Sequence, residues 1–156
     1  MEHLTIHRLA KAEYADSAFR GSRGRGRWHE QGTPMVYCSD QPATALSETM
    51  VHAGRADLVD ESYVLFSVEI DPGAHLPKPP ESELPEDWRA WPASTQELGT
   101  YWHEEEASLA LEVPSAVVPR QRNYLVNAMH PDFEEAEMIG PEPFPVDTRL
   151  GEQEEA

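Results

Sequence analysis

The sequence predicts a single α+β domain, with small mixed or antiparallel sheets and flanking helices. Its length of 156 residues suits one domain. Hydrophobic residues make up 39% of the chain and charged residues 26%, which is enough to bury one core and too hydrophobic for a disordered chain. Short segments of alternating hydrophobicity are interspersed with segments of helical spacing, as is typical of this class. We therefore assign residues 1–150 to the domain and residues 151–156 to a charged C-terminal tail.

The elements of the first half follow from hydrophobic periodicity and from the positions of proline and glycine. A helix is expected to begin near Pro42, because proline is tolerated in a first turn and Ser39 or Asp40 can cap it. Gly54 is expected to end this helix. The other elements are a short strand at Leu4–Leu9, a glycine- and arginine-rich segment at Gly21–Gly32, hereafter the Gly/Arg loop, and a strand at Met35–Ser39.

The second half contains the clearest strand, Tyr63–Ile70, in which alternate apolar residues face one way. The segment Pro77–Pro92 is proline-rich and acidic, and it is predicted to be a surface excursion that carries Trp88 and Trp91. The remaining predictions are a helix at Ser94–Trp102, strands at Leu109–Val113 and Asn123–Asn127, a last short helix capped by Asp132, and a stretch at Pro141–Pro145 that breaks regular structure.

The net charge limits the classes of partner that the protein is expected to bind. A net charge of −17 repels nucleic acid and anionic membranes, so direct contact with either is not expected. The same charge favours a cationic protein partner, or serves only solubility. Cys38 is the single cysteine, which excludes an internal disulfide and fits a reducing cytoplasm. No apolar run approaches the roughly 20 residues of a spanning helix, and the N-terminus lacks the layout of a signal peptide. A cytoplasmic location is therefore expected.

The Gly/Arg loop is the first candidate site. Three arginines alternate with glycines there, in a chain that is otherwise strongly acidic. Arginine pairs bidentately with phosphate or carboxylate, and glycine lets the backbone approach an anion closely. Trp28 is able to stack on a flat ring. The loop is thus expected to bind an anionic nucleotide, although a mobile basic surface loop has the same composition. It is not a P-loop, because no Gly-Lys-Ser/Thr follows.

Three further polar residues are candidates, each with an ordinary alternative. Glu48 lies at the margin of the apolar stripe of the first helix, where a carboxylate can point into a cleft or simply face solvent. Tyr37 lies within a strand and is either a pocket residue or a core aromatic with a wet hydroxyl. Ser115 follows a strand and a proline, so it either closes a site or forms a turn.

Several known kinds of site are missing from the sequence. The seven histidines form no His-x-x-x-His pair on a predicted helix and no cluster with cysteine, so no metal site is expected. No Gly-x-Ser-x-Gly elbow is present for a hydrolase nucleophile. The glycines of the Gly/Arg loop lack the spacing of the Rossmann fingerprint, so a dinucleotide would bind outside that fold.

Short blocks in a specific order relate this chain to a known family. They begin at His7-Arg8-Leu9, are strongest in Gly26-Arg27-Trp28, Gly32–Tyr37 and Ala43–Glu48, resume at Val113–Pro119, and continue through Asn123–Asn127, His130–Phe133 and Pro143–Leu150. Taken together they resemble the RES domain, the toxin half of bacterial RES–Xre toxin–antitoxin modules. The resemblance covers nearly the whole chain, and it implies that residues 1–150 are a RES domain with a fold like that of ADP-ribosyltransferase toxins.

The resemblance also implies a chemistry. Members of this family consume NAD⁺ by hydrolysis or phosphorolysis of the nicotinamide–ribose bond, or transfer ADP-ribose to a protein. They act as toxins of type II modules beside an Xre-type antitoxin, with NAD⁺ as substrate and no prosthetic group. The arginine, glutamate and serine that name the family map onto Arg27, Glu48 and Ser115, with Tyr37 as a further pocket residue.

In the mechanism that this mapping implies, Arg27 holds the pyrophosphate, aided by Arg8 or Arg25. Tyr37 and Trp28 surround the nicotinamide ribose, and Asn123 is a further NAD⁺-binding residue. Glu48 binds ribose hydroxyls and stabilises an oxocarbenium-like transition state, while Ser115 orients a ribose hydroxyl, a phosphate or Glu48 itself. A non-catalytic module that binds a phosphorylated metabolite is the alternative from another class.

Two positions depart from the family pattern. The family usually has Gly-Gly-Arg-Trp-Asn, where this chain has Arg25-Gly26-Arg27-Trp28-His29. Arg25 replaces the first glycine and His29 replaces the asparagine. These changes are expected to tune the loop or to alter which nucleophile the site admits.

Overall fold

The computed structural model describes residues 3–21, 24–54, 58–59, 61–76 and 84–151. Seven strands in this part of the chain form one sheet: β1 (Leu4–Lys11), β2 (Val36–Ser39), β3 (Tyr63–Ile70), β4 (His75–Leu76), β5 (Ala110–Pro114), β6 (Arg122–Val126) and β7 (Glu137–Phe144). Their order is β4-β5-β6-β2-β1-β3-β7. Every neighbouring pair is antiparallel except β4 and β5, which are parallel.

Two α-helices that lie wholly within the described residues accompany the sheet, α1 (Pro42–Ala53) and α2 (Pro92–Glu105). Short 3-10 helices complete the described elements, at Ala12–Ser17, Pro72–Ala74, Pro131–Phe133 and Thr148–Gly151. The predicted α+β class is confirmed, and the strands gather in a single sheet. None of the described helices is long and apolar enough to cross a membrane.

The core divides between the two faces of the sheet. One face carries a cluster built on Ile6, Cys38, Val68 and Tyr124. Because side chains alternate along a strand, the neighbours of these residues face the other way. That second face carries two clusters, one beneath α2 and the Gly/Arg loop (Trp28, Met35, Trp102, Leu111, Val113 and Leu125) and one beneath α1 (Leu9, Ala45, Leu58, Tyr63 and Leu65).

The N-cap of α1 differs from the prediction. Gln41 is the N-cap residue of α1 and makes no side-chain cap bond, while Pro42 takes the first turn as expected. Asp40 instead accepts hydrogen bonds from the Thr44 hydroxyl and from the N–H of Arg122, so its carboxylate is committed to tying α1 to β6. Gly54 ends α1 with φ at 81°, as predicted, since glycine adopts a positive φ without a Cβ clash.

The predicted cap of the last short helix is also wrong. Asp132 lies inside the Pro131–Phe133 turn, and the preceding residue, His130, is the N-cap. The imidazole Nδ1 of His130 accepts the N–H of Asp132 at 3.1 Å, which is the role that a carboxylate or hydroxyl normally takes.

The prediction that Pro141–Pro145 breaks regular structure is wrong for most of that stretch. Strand β7 runs through to Phe144 at the edge of the sheet, where a missing N–H on the outer side costs no ladder bond. The register against β3 shifts between Leu65 and Ser67, opposite Gly140 and Pro141, and this irregularity accommodates the proline.

The proline-rich segment is only partly a surface excursion. Residues 77–83 lie outside the described residues, as does most of the predicted tail. Trp88 packs against Trp28 with ring centroids 5.7 Å apart, so it belongs to the core boundary, whereas Trp91 is 52% exposed as expected. Pro92 begins α2, and this helix starts two residues earlier and ends three residues later than predicted.

Candidate functional site

The candidate site is built around the carboxylate of Glu48. Helix α1 buries Ala45 against the cluster that lies beneath this helix. Glu48 follows one turn further along, beside that contact, and is half-buried. Its Oε1 accepts two hydrogen bonds, from Ser115 Oγ at 2.7 Å and from Asn123 Nδ2 at 2.7 Å. Within the described residues Oε2 has no hydrogen-bond partner. One oxygen of Glu48 is thus anchored, and the other is available to a ligand.

Ser115 is fully committed to this arrangement. It is completely buried, and its hydroxyl donates to Glu48 while accepting the backbone N–H groups of Val117 and Val118. The turn that follows β5 therefore fixes the hydroxyl in place. Ser115 holds Glu48, and in this conformation its hydroxyl has no hydrogen left to donate to a ligand.

Asn123 is oriented from below by β2. The Ser39 hydroxyl donates to Asn123 Oδ1 at 2.8 Å, which turns the amide Nδ2 toward Glu48. Ser39 and Asn123 are direct partners in the antiparallel register of β2 and β6. Asn123 is only 7% exposed, so its contact with Glu48 is the interaction that the structure assigns to its amide nitrogen.

Tyr37 and His29 form a second hydrogen-bonded unit next to the first. The Tyr37 hydroxyl accepts the N–H of Trp28 at 3.0 Å and lies 2.6 Å from His29 Nδ1. The other ring nitrogen of His29 bonds the carbonyl of Gly24. Burial raises the pKa of Tyr37, and the charge of Glu48 adds to this, while the Trp28 N–H and the charge of Arg27 lower it by less, so the phenol stays protonated near neutral pH. Burial also lowers the pKa of His29, which favours its neutral form.

Arg27 is tied to the segment that precedes α2. Its Nη1 donates to the carbonyl of Arg89 at 2.8 Å, and its side chain is half-exposed. The charges of Arg27 and Glu48 both reach Tyr37, and they act on its pKa in opposite directions. A guanidinium with a single bond to a carbonyl has donors left for an anion. Arg25 is exposed, and Arg23 lies outside the described residues.

The Gly/Arg loop keeps its position because α2 packs directly on it. A Cβ at Gly99 would lie 1.7 Å from the carbonyl oxygen of Trp28, so only glycine permits this approach. The Thr95 hydroxyl donates to the carbonyl of Arg27, and Thr100 Oγ1 accepts the N–H of Glu30 at 2.9 Å. Helix α2 therefore fixes the backbone on both sides of Trp28.

Two of the sequence-predicted ligand contacts take structural positions instead. Trp28 is 1% exposed and fills the second cluster, so its ring is not presented to a ligand as expected. The side chain of Arg8 donates to the carbonyls of Ala18 (2.7 Å) and Tyr37 (2.9 Å), because the partly buried guanidinium needs partners at that position on β1. Arg8 therefore braces the β2 backbone behind Tyr37.

The structure brings together Arg27, Tyr37, Glu48, Ser115 and Asn123, from the loop, β2, α1, the end of β5 and β6. Sequence reasoning did not assign Ser39 to this site, and it treated His29 only as a departure from the family pattern, without its bond to Tyr37. Ser39 was considered only as a cap, and its role follows from strand register, which no local pattern encodes. Among the described residues no group of three or more histidine, cysteine, aspartate and glutamate side chains is placed to hold a metal ion.

Comparison with known proteins identifies the family of this chain. The family model described as "RES domain" matches residues 5–147. The chain belongs to the RES domain family. The resemblance noted in the sequence is thereby confirmed.

Relatives with names extend the comparison. A protein named "Toxin Res" from Photorhabdus laumondii subsp. laumondii is 36% identical over 135 residues, which cover 83% of this chain and 85% of that protein. A protein named "Prs ADP-ribosylating toxin" from Sphingobium sp. is 34% identical over 112 residues, covering 69% of this chain and 68% of that protein. This RES domain is therefore a homologue of proteins named as toxins.

A solved structure shares the fold. It is described as the crystal structure of the M. tuberculosis MbcT–MbcA toxin–antitoxin complex, and it superimposes with a TM-score of 0.74 at 17% sequence identity. The match covers 96% of this chain and 87% of the other.

Proposed function

We propose that this RES domain is the toxin of a toxin–antitoxin pair and that it cleaves the nicotinamide–ribose bond of NAD⁺. The observation that carries the proposal is the Glu48 carboxylate, with Oε1 anchored by Ser115 and Asn123 and Oε2 unpartnered among the described residues. A fixed anion beside an anomeric carbon stabilises the positive charge that develops as nicotinamide leaves. The names of the relatives support the toxin role.

The remaining groups of the candidate site suit the rest of this substrate. Arg27 would pair with the pyrophosphate through the guanidinium hydrogens that Arg89 does not use. Glu48 Oε2 would accept a ribose hydroxyl. Ser115 and Asn123 would act on the carboxylate, since the Ser115 hydroxyl and the Asn123 amide both already donate to Glu48 Oε1. NAD⁺ is the substrate in this scheme, and no prosthetic group enters it.

In the proposed reaction either water or inorganic phosphate accepts the ADP-ribose. Purified protein would be incubated with NAD⁺, with and without phosphate, and nicotinamide release would be measured. We expect nicotinamide to be released, with ADP-ribose as product from water and ADP-ribose 1″-phosphate as product from phosphate. A well-folded wild-type chain that leaves NAD⁺ intact under both conditions contradicts the proposal and favours a non-catalytic binding module.

Glu48→Gln is the matched control for this assay. Glutamine keeps an oxygen that accepts from Ser115 and Asn123, and it removes only the negative charge. We expect a loss of at least about 100-fold in the rate of nicotinamide release, as for other groups that stabilise charge in a transition state. Arg27→Lys should also lose activity, because an ammonium cannot pair bidentately with phosphate.

A second candidate function is ADP-ribosylation of a protein, and the similarity to the Sphingobium protein favours it. The same bond is broken, and a protein side chain replaces water as the acceptor. Mass spectrometry of cell extract incubated with the protein and NAD⁺ would detect the added ADP-ribose, and labelled protein bands without free ADP-ribose would establish transfer over hydrolysis.

An antitoxin of the Xre type is the partner that we propose, in the cytoplasm where NAD⁺ is available. The net charge of −17 is suited to a cationic partner. Co-expression of the protein with the gene beside its own would test this: we expect a stable complex and relief of growth inhibition.

A further inference from the structure

His29 links the Gly/Arg loop to the candidate site through a defined chain of hydrogen bonds. Its ring is 2% exposed, with Nδ1 2.6 Å from the Tyr37 hydroxyl and Nε2 bonded to the carbonyl of Gly24. The loop backbone continues directly from His29 back to Trp28, whose N–H donates to the same hydroxyl. The two residues that follow Arg27 in the loop are therefore both hydrogen-bonded to the Tyr37 hydroxyl.

The partners determine where the protons lie. A carbonyl only accepts, so Nε2 carries the ring proton and donates to Gly24. In the neutral ring Nδ1 is then an acceptor, and Tyr37 donates its hydroxyl proton to it. The N–H of Trp28 occupies one lone pair of the same oxygen. The hydroxyl is left with a single lone pair, so it can accept a hydrogen bond from a ligand but has no proton to donate to one.

We propose that His29 is a positioning residue that acts through Tyr37. Because the Tyr37 hydroxyl donates its hydrogen bond to His29, the Tyr37 oxygen can act toward the substrate only as an acceptor. Such an oxygen suits a ribose hydroxyl or the carboxamide N–H₂ of nicotinamide, and it does not suit a phosphate oxygen. This inference rests on the proposed cleavage of NAD⁺ and assigns to that reaction a residue whose ring does not need to contact the substrate.

Two substitutions separate the bonds of the two ring nitrogens. In His29→Asn the side-chain oxygen takes the place of Nδ1, which keeps the acceptor for Tyr37 and gives up the bond to Gly24. In His29→Gln the terminal amide reaches the place of Nε2, which keeps the bond to Gly24 and gives up the acceptor for Tyr37. Both replacements are polar amides, so the pair is matched in chemistry and differs in reach.

The test compares kcat/KM for nicotinamide release in these variants and in Tyr37→Phe. We expect His29→Gln to lose about 10-fold or more, and His29→Asn to retain about a third or more of the wild-type value, on the scale of one lost hydrogen bond to the substrate site. Because His29 acts through Tyr37, the double variant His29→Gln/Tyr37→Phe should lose no more than Tyr37→Phe alone. Circular dichroism and thermal unfolding would establish that each variant is folded.

The opposite order of the two amides overturns the inference. If His29→Gln is active and His29→Asn is not, the tie to Gly24 is what matters and Tyr37 is not positioned by His29. Losses that multiply in the double variant lead to the same conclusion. In contrast, a folded wild type that releases no nicotinamide contradicts the proposed function itself. Nitrogen NMR of the His29 ring gives a readout independent of activity: we expect the proton on Nε2, and a proton on Nδ1 would overturn the assignment.

Discussion

Ser115 contributes to the site by what it does to another residue. Its buried hydroxyl donates to Glu48 and accepts from two backbone N–H groups of the following turn. A single atom thus joins the carboxylate on α1 to the end of β5, across 67 positions of sequence. The serine is placed to hold the carboxylate and the turn at the same time.

Ser115→Ala should therefore lower stability and activity together. Alanine leaves the N–H groups of Val117 and Val118 without their shared acceptor, and each unmade buried bond costs about 1–3 kcal/mol. Nicotinamide release should fall because Glu48 loses one of its two anchors. Denaturant unfolding and the NAD⁺ assay would measure the two effects. An alanine variant with wild-type activity would contradict the role assigned to the serine.

The sequence could predict the residues at this scale better than their contacts. Arg27, Tyr37, Glu48 and Ser115 were found from motif blocks, and they do lie in one region. The expectation that Trp28 faces a ligand is wrong, since the side chain is buried. The sequence could not show this, because an aromatic residue next to an arginine has no local pattern that distinguishes a buried from an exposed position. The roles of His29 and Ser39 depend on partners that the fold brings from distant positions.

At the scale of elements, α2 and the Gly/Arg loop form one unit. The helix contributes Thr95, Gly99 and Thr100 to the contact, and the loop contributes its backbone around Trp28. Close backbone approach at Gly99 replaces the side-chain packing that usually separates a helix from its neighbour. The position of Arg27 therefore depends on a helix that contributes no side chain to the predicted catalytic set.

Gly99→Ala tests this dependence, and its expected effect on the free energy of unfolding is opposite to the usual one. Glycine to alanine inside a helix normally stabilises by about 1 kcal/mol. Here the new methyl would lie 1.7 Å from the carbonyl oxygen of Trp28, so α2 and the loop must separate. We expect destabilisation by at least about 2 kcal/mol, in the range of overpacked cores, with loss of activity.

Gly73→Ala is the matched control for this substitution, because a Cβ at Gly73 meets nothing within 4 Å. Chemical denaturation of both variants would give the difference directly. Equal stability of the two variants would show that the contact at Gly99 is not required.

Elements with strong periodicity could be predicted, and elements set by context could not. Helix α1 and strand β3 were located almost to the residue, since proline, glycine and alternation mark them. Strand β7 was missed because its prolines are tolerated only at a sheet edge, and edge position is a property of the assembled sheet. The two-residue strand β4 is too short for any alternation to be visible.

At the scale of the whole molecule, three partly or fully buried histidines respond to pH in the same direction. Burial lowers the pKa of His7, His29 and His103 from the ordinary value of 6.5, which means that the folded state favours their neutral forms. The carbonyl of Pro34 and the carboxylates of Glu104 and Glu106 raise the pKa of His103, but by less than burial lowers it.

The consequence is a loss of stability in mild acid. Between pH 6.5 and the lowered values the unfolded chain binds more protons than the folded one, so the free energy of unfolding falls as pH falls. Above pH 6.5 the contribution of the neutral histidines is complete. Each histidine adds at most about 1.4 kcal/mol per pH unit within this window.

Urea unfolding at pH 7.5, 6.5 and 5.5 would measure this slope. His29→Asn should reduce it, because that group no longer titrates. A wild-type stability that does not change over this range would contradict the prediction.

The anchoring of Glu48 by Ser115 and Asn123 has a consequence during synthesis. These bonds join positions that are 67 and 75 residues apart. At roughly 5–20 residues per second, between about 4 and 15 seconds separate the translation of Glu48 from that of Asn123. A nascent chain therefore carries its carboxylate for several seconds before the groups that orient it exist. If the domain is toxic to the cell that makes it, its site is complete only after Asn123 has been translated.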